Sequence, residues 1–235
     1  MDSASLDGAP DDSLLEKMRL DWDQRARENA RHFINTANSD WDEKEFYQSG
    51  RLNIYHEVLT DLGNVCQGMD PKKMKVLEIG CGTGRMTRSL AEVFGEVYGV
   101  DISGEMIAQG KNDLADLPNA HLFQNNGADL QVLRDIRFDF AFSYIVFQHI
   151  PSRAVIYSYA REVNRLLRPG GLFKFQVQGG SPDAGDEPDT WEGVHFSDAE
   201  AVEMAEKCGF EPRYRRGADS QYFWLWFFKR DEERG

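Results

Sequence analysis

The feature that most constrains the fold of this chain is an apolar segment that runs directly into three closely spaced glycines. The segment reads Val76-Leu77-Glu78-Ile79-Gly80-Cys81-Gly82-Thr83-Gly84-Arg85, and a helical pattern begins near Met86. Glycine at such a turn lets the backbone approach a ligand and adopt a positive φ without steric cost. A strand, a glycine turn and a helix in this order predict either a ligand-binding turn or a tight turn with nothing bound.

Short apolar runs alternate with helical patterns after Pro71. The predicted strands are residues 75–80, 96–101, 120–126, 138–147 and 171–178. The predicted helices begin near Met86, after Ser103, after Ser152 and at a capping box formed by Ser197 and Glu200. The third helix should stop at the turn 168–171, because Pro169 cannot continue it. This alternation predicts an α/β fold with a mostly parallel sheet.

The C-terminal region follows a different pattern. Residues 211–218 and 221–229 are two strand-like runs with too few residues between them for a right-handed crossover, so we expect an antiparallel hairpin. The second run is apolar on both faces, with Tyr222, Trp224, Trp226 and Phe228 on one face and Phe223, Leu225 and Phe227 on the other. Neither face suits water. We therefore predict that this strand lies inside the sheet and is covered on both sides.

The residues before Pro71 divide into an acidic tail and a helical segment. Residues 1–13 contain four aspartates and no basic residue, which predicts a disordered tail. From Leu14 onward, apolar residues recur at three- and four-residue spacing, at Leu15, Met18, Trp22, Ala26, Ala30 and Phe33. We predict three regions: the tail at 1–13, an N-terminal helical cap at 14–70 and the α/β core at 71–235.

The composition excludes several classes of partner. Twenty-seven Lys and Arg residues against 40 Asp and Glu residues give a net charge of −13, which argues against binding to nucleic acid or to an anionic membrane. The three cysteines, Cys66, Cys81 and Cys208, have neither disulfide-like nor zinc-like spacing, so no metal site is predicted. Without a long apolar run or a signal-peptide pattern, a cytoplasmic location is expected.

The spacing of the glycines discriminates between two kinds of nucleotide site. In the dinucleotide pattern G-x-G-x-x-G, counted from Gly80, the third glycine falls on Arg85, so that pattern fails. The pattern present is E-x-G-x-G-x-G, and in this the sequence resembles the class I S-adenosylmethionine-dependent methyltransferases. The resemblance extends from about Lys75 to the C-terminus. It implies a Rossmann-like, doubly wound sheet of seven strands, and S-adenosyl-L-methionine as the cofactor, with S-adenosyl-L-homocysteine as its product.

The resemblance also implies which residues bind the cofactor. They are Glu78, Gly80, Cys81, Gly82, Gly84, Asp101, Ile102, Met106, Asn126, Gly127, Ser143 and Tyr144. In the family, the glycine loop wraps the methionine portion, Asp101 accepts the ribose hydroxyls, and Ile102 and Met106 enclose the adenine. Ordinary core packing explains Ile102 and Met106 equally well. Asn126 stands where the family usually has an aspartate, although its amide oxygen can still accept a hydrogen bond.

Catalytic candidates follow the fourth strand, whose end faces the transferable methyl group in the family. They are Tyr144 and His149, and His149 could act as a general base because its ordinary pKa is near neutrality. Many family members have a histidine here that only packs or caps. Arg51 could reach the cofactor carboxylate, but a surface salt bridge is the alternative that we favour.

The absence of a large insertion favours a small-molecule acceptor. Two segments could border it: the helical cap, and the loop 179–195 with Trp191, Glu192 and His195, which is either simply mobile or, as its tryptophan suggests, a lid. The cap offers Trp22, Phe33, Trp41, Phe46, Tyr47 and Tyr55, of which we assign Trp22 and Phe33 to packing. Acidic residues concentrate at 1–16, 40–45 and 181–192, for which solubility is the explanation that we favour. The alternative is that the last two segments border the acceptor and favour a neutral or amine-bearing one. The alternative functions are a non-catalytic regulatory protein that binds S-adenosylmethionine and a nicotinamide-dependent reductase.

Overall fold

The computed structural model describes residues 10–180 and 188–231. The helices are α1 (Asp12–Ile34), α2 (Glu43–Glu57), α3 (Leu62–Cys66), α4 (Thr87–Val93), α5 (Gly104–Asp113), α6 (Arg153–Leu166) and α7 (Asp198–Lys207). The strands are β1 (Lys75–Ile79), β2 (Glu96–Asp101), β3 (Ala120–Gln124), β4 (Phe138–Phe142), β5 (Leu167–Val177), β6 (Phe210–Arg216) and β7 (Phe223–Lys229). Most of the predicted acidic tail and most of the acidic run at 181–192 lie outside the described residues.

The seven strands form one sheet in the order β3-β2-β1-β4-β5-β7-β6. The first five strands are parallel, and β7 pairs antiparallel with both β5 and β6. The chain builds outward from β1 to β3 in one direction and then from β4 in the other, so the order reverses between β1 and β4. The doubly wound sheet and its antiparallel C-terminal hairpin, both predicted from the sequence, are confirmed.

The prediction that the last strand is covered on both sides is also confirmed. Phe223, Leu225 and Phe227 belong to a core that includes residues of α6 and α7, whereas Trp224, Trp226 and Phe228 belong to a second core with residues of α2, α3 and α4. The alternation of side chains along β7 therefore supplies apolar surface to both layers of helices. A position inside the sheet, between β5 and β6, allows helices to cover both of these faces.

Two predicted boundaries are wrong. We expected a strand over 138–147, but β4 ends at Phe142, and Ile145 then adopts a φ of 55°. A β-branched residue at positive φ cannot continue a strand, and the chain turns out of the sheet there. We also expected a turn at 168–171, but these residues lie inside β5, where the register with β4 shifts. Proline ends α6 without ending the extended backbone, because its fixed φ suits a strand as well.

The N-terminal helices pack in two different ways. Helix α1 begins at Asp12, with Asp11 as its N-cap, and its residues Ala26 and Ala30 form a small cluster with Met106 of α5. Helices α2 and α3 instead contribute Ile54 and Val65 to the core against the sheet. No described helix is long and apolar enough to cross a membrane, and the three cysteines are buried and free.

Candidate active site

A cavity lies at the carboxyl ends of β1, β2 and β4, at the point where the strand order reverses. Ligands of open α/β sheets bind at such switch points. We call this the first cavity; it is open to solvent, and it measures about 830 Å³ with its open mouth included. Ten residues proposed from the sequence line it: Glu78, Gly80, Cys81, Gly82, Asp101, Ile102, Met106, Gly127, Tyr144 and His149.

The glycine turn after β1 forms the floor of the first cavity. Gly80 and Gly82 have φ values of 71° and 54°, which side chains rarely adopt. The Gly80 N–H donates to Val100 O at 2.8 Å, which ties the turn to the end of β2. A β-carbon on Gly80 would overlap the side chain of Val146. Glycine is therefore required at this position by both the backbone conformation and the space.

Asp101 ends β2 and holds the glycine turn from the other side. Its Oδ2 accepts from the Gly82 N–H at 2.9 Å, and its Oδ1 accepts from the Ser103 N–H at 2.9 Å. Burial raises the pKa of this carboxyl from 3.8 to about 6, against the opposing effect of the two backbone hydrogen bonds. Each oxygen keeps a lone pair for a further donor, so Asp101 can accept from a pair of vicinal hydroxyls.

Glu78 lies in β1 beneath the same turn and is almost completely buried. Its Oε2 accepts from the Thr87 hydroxyl at 2.6 Å, and burial raises its pKa to about 8. Near pH 7 a carboxyl with this pKa is mostly neutral, and a cation beside it would favour its ionised form. Glu78 is thus suited to a cationic group of a ligand.

An apolar slot extends from Asp101 toward α1. Ile102, Met106 and Gly127 line it, and a β-carbon on Gly127 would overlap the Ile102 side chain. Asn126, which we proposed for the same slot, lies outside it. Its side-chain oxygen accepts from the N–H groups of Ala128 and Asp129, so it stabilises the turn that carries Gly127.

Two further residues proposed from the sequence also lie outside the lining of the first cavity. Ser143 is buried, and its hydroxyl donates to Ile79 O at 2.9 Å, which joins the end of β4 to the end of β1. Gly84 has a φ of 86°, and its N–H donates to Cys81 O at 2.9 Å. Both residues position the turn and the strand ends.

His149 lies where the first cavity meets a loop that follows β5. Its Nδ1 is hydrogen-bonded to the carbonyl oxygen of Trp191. Because a carbonyl can only accept, Nδ1 carries the proton and Nε2 keeps its lone pair. Burial lowers the pKa of His149 to about 4, so the ring is neutral near pH 7. The rings of Trp22 and Trp191 pack on it with centroids at 5.6 and 5.1 Å.

The loop that carries Trp191 is attached to α1. Arg25 donates to the carbonyl and the hydroxyl of Thr190 at 3.0 and 3.1 Å, and its guanidinium lies over the rings of Trp22 and Trp191. The hydroxyl of Thr190 donates to Asp21 at 2.6 Å. Helix α1 and the Trp191 loop therefore cover one end of the first cavity together.

A second cavity adjoins the first and encloses about 1020 Å³. The two cavities share six lining residues: Phe33, Ile34, Arg85, Tyr144, Ile145 and His149. The rest of its wall is mostly uncharged and polar or aromatic, including Asn35, Asn53, Gln148, Gln178, Trp191 and Tyr222, with one carboxylate, Glu192.

Tyr144 stands at the boundary between the two cavities. Its ring stacks on Trp224 with centroids 5.6 Å apart, and its hydroxyl accepts from Asn53 Nδ2 at 3.3 Å. The backbone turns sharply at the next residue, where the Ile145 N–H donates to Gln176 Oε1 at 3.3 Å. The turn directs this part of the chain along the cavity walls and away from the sheet.

Arg85 also lines the site, although it was not predicted as a site residue from the sequence. There its only significance was that it breaks the dinucleotide pattern. It is 4% exposed and lines both cavities. Arg51, which we considered for a carboxylate, is exposed and pairs with Glu92 at 2.6 Å, as favoured from the sequence. One pattern in the sequence could have indicated Arg85: it is a charged residue placed just before a helix whose first residues are mostly apolar or small and therefore buried.

The aromatic residues of the cap have separate positions. Trp22 and Phe33, which we assigned to packing, line the first cavity together with Met18 and Ile34. Tyr47 instead donates to Asp113 at 3.2 Å, and Tyr55 is exposed. The acidic residues at 40–45 line neither cavity: Asp42 caps α2, and Glu43 pairs with Arg31.

Sequence comparison places a known domain on this part of the chain. Residues 76–171 match the family model described as "Methyltransferase domain". A demethylmenaquinone methyltransferase of Staphylococcus aureus is 34% identical over 104 residues, which are 43% of this chain and 42% of the relative. The chain thus spans less than half the length of that relative.

Structure comparison extends the likeness to nearly the whole fold. The complex of DhpI with SAH covers 95% of this chain and 100% of that chain, with a TM-score of 0.65 and 20% identity. The magnesium protoporphyrin IX methyltransferase of Synechocystis PCC 6803, with bound SAH, covers 90% of this chain and 97% of that chain, with a TM-score of 0.64 and 16% identity. The fold, the helical cap included, is therefore one that binds SAH in other proteins.

Proposed function

We propose that this chain is a class I S-adenosylmethionine-dependent methyltransferase that transfers a methyl group to a small molecule bound in the second cavity. The observation that carries the proposal is the junction of the two cavities at Tyr144, Ile145 and His149. A cofactor in one cavity and an acceptor in the other would meet there. Transfer of a group between two ligands requires this kind of contact.

The residues of the first cavity fit the cofactor of this family. Asp101 suits the ribose hydroxyls, the slot of Ile102 and Met106 suits the adenine, and the turn at Gly80 and Gly82 leaves room for close approach of the ligand. S-adenosylmethionine supplies a sulfonium methyl group that is already activated for in-line displacement. The protein therefore needs chiefly to orient the two ligands and to exclude water.

We assign the exclusion of water to α1 and the Trp191 loop. Trp22, Trp191 and Phe33 lie around His149, and Arg25 joins the helix to the loop. The Nε2 lone pair of His149 can accept a hydrogen bond from a hydroxyl or amine acceptor and orient it, whereas a pKa of about 4 makes the ring too weak a base to keep a proton near pH 7. Tyr144 is proposed as the second residue beside the reacting atoms.

The wall of the second cavity favours a neutral or amine-bearing acceptor. Its polar groups are mainly amides, its apolar surface combines aromatic with aliphatic side chains, and Glu192 is its one carboxylate among the described residues. Aromatic faces and a carboxylate attract cations. The curated relative shares only part of its length with this chain, so its acceptor is not transferred here.

Cofactor binding is the first test. Calorimetry should show micromolar binding of S-adenosylmethionine and a loss of at least about 30-fold for Asp101→Asn, because the amide replaces one of the two accepting oxygens with an NH2 group, which can only donate. The exposed Asp116→Asn is the matched control and should bind as the wild type does. If the folded wild type does not bind, or binds NADH more tightly, the proposal fails.

Turnover is the second test. Release of S-adenosylhomocysteine should be measured with matched acceptors such as phenethylamine and 3-phenylpropionate, and the amine should be preferred. Glu192→Gln should reduce this preference by about 10-fold. Binding without turnover on a broad panel of acceptors would favour the non-catalytic alternative, and a preference for the carboxylate would contradict the assignment of the acceptor class.

A further inference from the structure

Arg85 is a buried cation without an acidic partner. Its Nη1 donates to Asn53 Oδ1 at 2.7 Å and to Ser49 Oγ at 3.2 Å, and both of these partners are neutral. Its Nε is buried and has no hydrogen-bond partner in the structure. Among residues 10–180 and 188–231, no carboxylate lies within ion-pair distance of its guanidinium. Burial of a charge without a partner costs desolvation free energy. The exposed arginines of this chain, which pair with acids, do not carry that cost.

Helix α2 holds Arg85 in this position. Ser49 and Asn53 lie one turn apart on that helix, and between them Gly50 packs directly on Arg85. A β-carbon on Gly50 would overlap the backbone carbonyl of Arg85. Asn53 also donates to the hydroxyl of Tyr144 at 3.3 Å. The guanidinium is therefore fixed by close packing and oriented by neutral acceptors, which leaves its charge available to a ligand.

Glu78 and Arg85 place a carboxyl group and a guanidinium on the wall of the first cavity. They do not form an ion pair with each other, since Glu78 is held by Thr87 and Arg85 by Ser49 and Asn53. A buried acid and a buried base that face one cavity without pairing match a zwitterion, whose ammonium and carboxylate groups would neutralise both. An α-amino acid end has these two groups on one carbon.

We propose that Arg85 binds the α-carboxylate of the cofactor's methionine portion, and that α2 orients it for this contact. This inference rests on the proposed function. The guanidinium is thereby neutralised by the cofactor, which leaves the second cavity without a free cation among its described lining residues. The same residue would otherwise attract an anionic acceptor, because it also lines the second cavity.

The test compares two ligands that differ only in the carboxylate. These are S-adenosylhomocysteine and its decarboxylated analogue, S-(5′-adenosyl)-3-thiopropylamine. Wild type should bind S-adenosylhomocysteine about 10- to 100-fold more tightly than the analogue, as expected for hydrogen bonds to a charged group. Arg85→Met should lose that difference, with affinity for the analogue changed less than 3-fold. Arg51→Met, at an exposed and paired arginine, should behave as wild type does.

The outcomes separate this inference from the function on which it rests. If wild type binds neither ligand nor S-adenosylmethionine, the proposed function fails. If wild type binds both ligands equally, or Arg85→Met weakens both equally, the inference fails and the function stands. Arg85→Met could instead raise the KM of a carboxylate acceptor and keep the preference for S-adenosylhomocysteine. Arg85 would then bind the acceptor, and the inference fails. If Arg85→Met does not fold, the test uses the wild type and Asn53→Leu. The wild type should prefer S-adenosylhomocysteine to the analogue, and Asn53→Leu should reduce that preference.

Discussion

At the scale of single residues, burial of the Glu78 carboxyl makes the free energy of unfolding depend on pH. Its pKa is about 8 in the folded protein, against an ordinary value of 4.5, because burial opposes its ionised form. The folded state therefore binds a proton more tightly than the unfolded state does. Its contribution to stability is largest at acidic pH and is lost as the pH rises toward 8.

Glu78→Gln should make the ligand-free protein less sensitive to alkaline pH. Between pH 5 and pH 8.5, the wild type should lose about 3 kcal/mol of unfolding free energy that the variant keeps, since glutamine does not ionise. Urea unfolding at several pH values measures this difference, with the exposed Glu45→Gln as the control. Equal pH dependence of wild type and variant would contradict the role of burial.

His149 has the opposite dependence on pH. Its pKa is about 4 in the folded protein and about 6.5 when unfolded, so the unfolded state takes up the proton first as the pH falls. The wild type should therefore lose about 2 kcal/mol of stability between pH 7 and pH 5 through this group. His149→Asn should remove that part of the acid sensitivity in thermal unfolding, and equal acid sensitivity of the wild type and the variant would contradict the effect of burial.

At the scale of elements, helix α1 contacts both the first cavity and the core. Its buried Asp23 accepts from the Ser103 hydroxyl at 2.7 Å and from the Glu105 N–H at 3.2 Å. A carboxylate at the first turn of α5 is favourable for the N–H groups that have no partner there. One residue of the cap thus stabilises a helix of the core and holds α1 across the cavity.

Asp23→Ala should loosen α1 more than it destabilises the protein. Loss of a helix cap costs about 1 kcal/mol, and α1 is then held on α5 by the small apolar cluster with Met106, the Gln109 hydrogen bond and one exposed ion pair. We expect faster hydrogen exchange in residues 14–30 and about 10-fold weaker cofactor binding. Arg27→Ala, which removes an exposed ion pair with Glu105, should change neither; unchanged exchange in Asp23→Ala would refute this role.

At the scale of the whole molecule, a buried lysine connects the sheet to the helical segment. Lys174 of β5 is 2% exposed; its ammonium donates to the Glu57 carbonyl and pairs with Asp61 at 3.1 Å. Trp226 donates to the same carboxylate at 2.6 Å, and the ammonium lies 4.5 Å from the centre of its ring. The link joins the residues between α2 and α3 to the centre of the sheet.

Asp61→Ala should destabilise the protein by about 3 kcal/mol, because it leaves the Lys174 charge buried without its partner. Lys174→Met combined with Asp61→Leu should recover much of this loss, since apolar residues can replace a buried pair. Urea unfolding of the two variants measures the effect. Glu203→Ala, which breaks an exposed pair with Lys207, should cost less than about 0.5 kcal/mol.

The local patterns of the sequence were sufficient for much of the fold. The capping box at Ser197 is present, Ser103 caps α5, and β7 supplies both cores as its two apolar faces predicted. The end of β4 was missed, because the apolar run up to Phe147 reads as a strand. Its turn at Ile145 depends on Gln176, which is distant in sequence and follows no local rule.

Local patterns predict the order of strands and helices, the glycine turn and the acid at Asp101, because these follow from periodicity and from conformations that few residues can adopt. The folded chain was needed to show that Arg85 lies buried without an acidic partner, that Trp22 and Trp191 meet over His149, and that two cavities join at Tyr144. Such facts depend on contacts between residues far apart in the chain, and burial, charge pairing and pKa are set by those contacts.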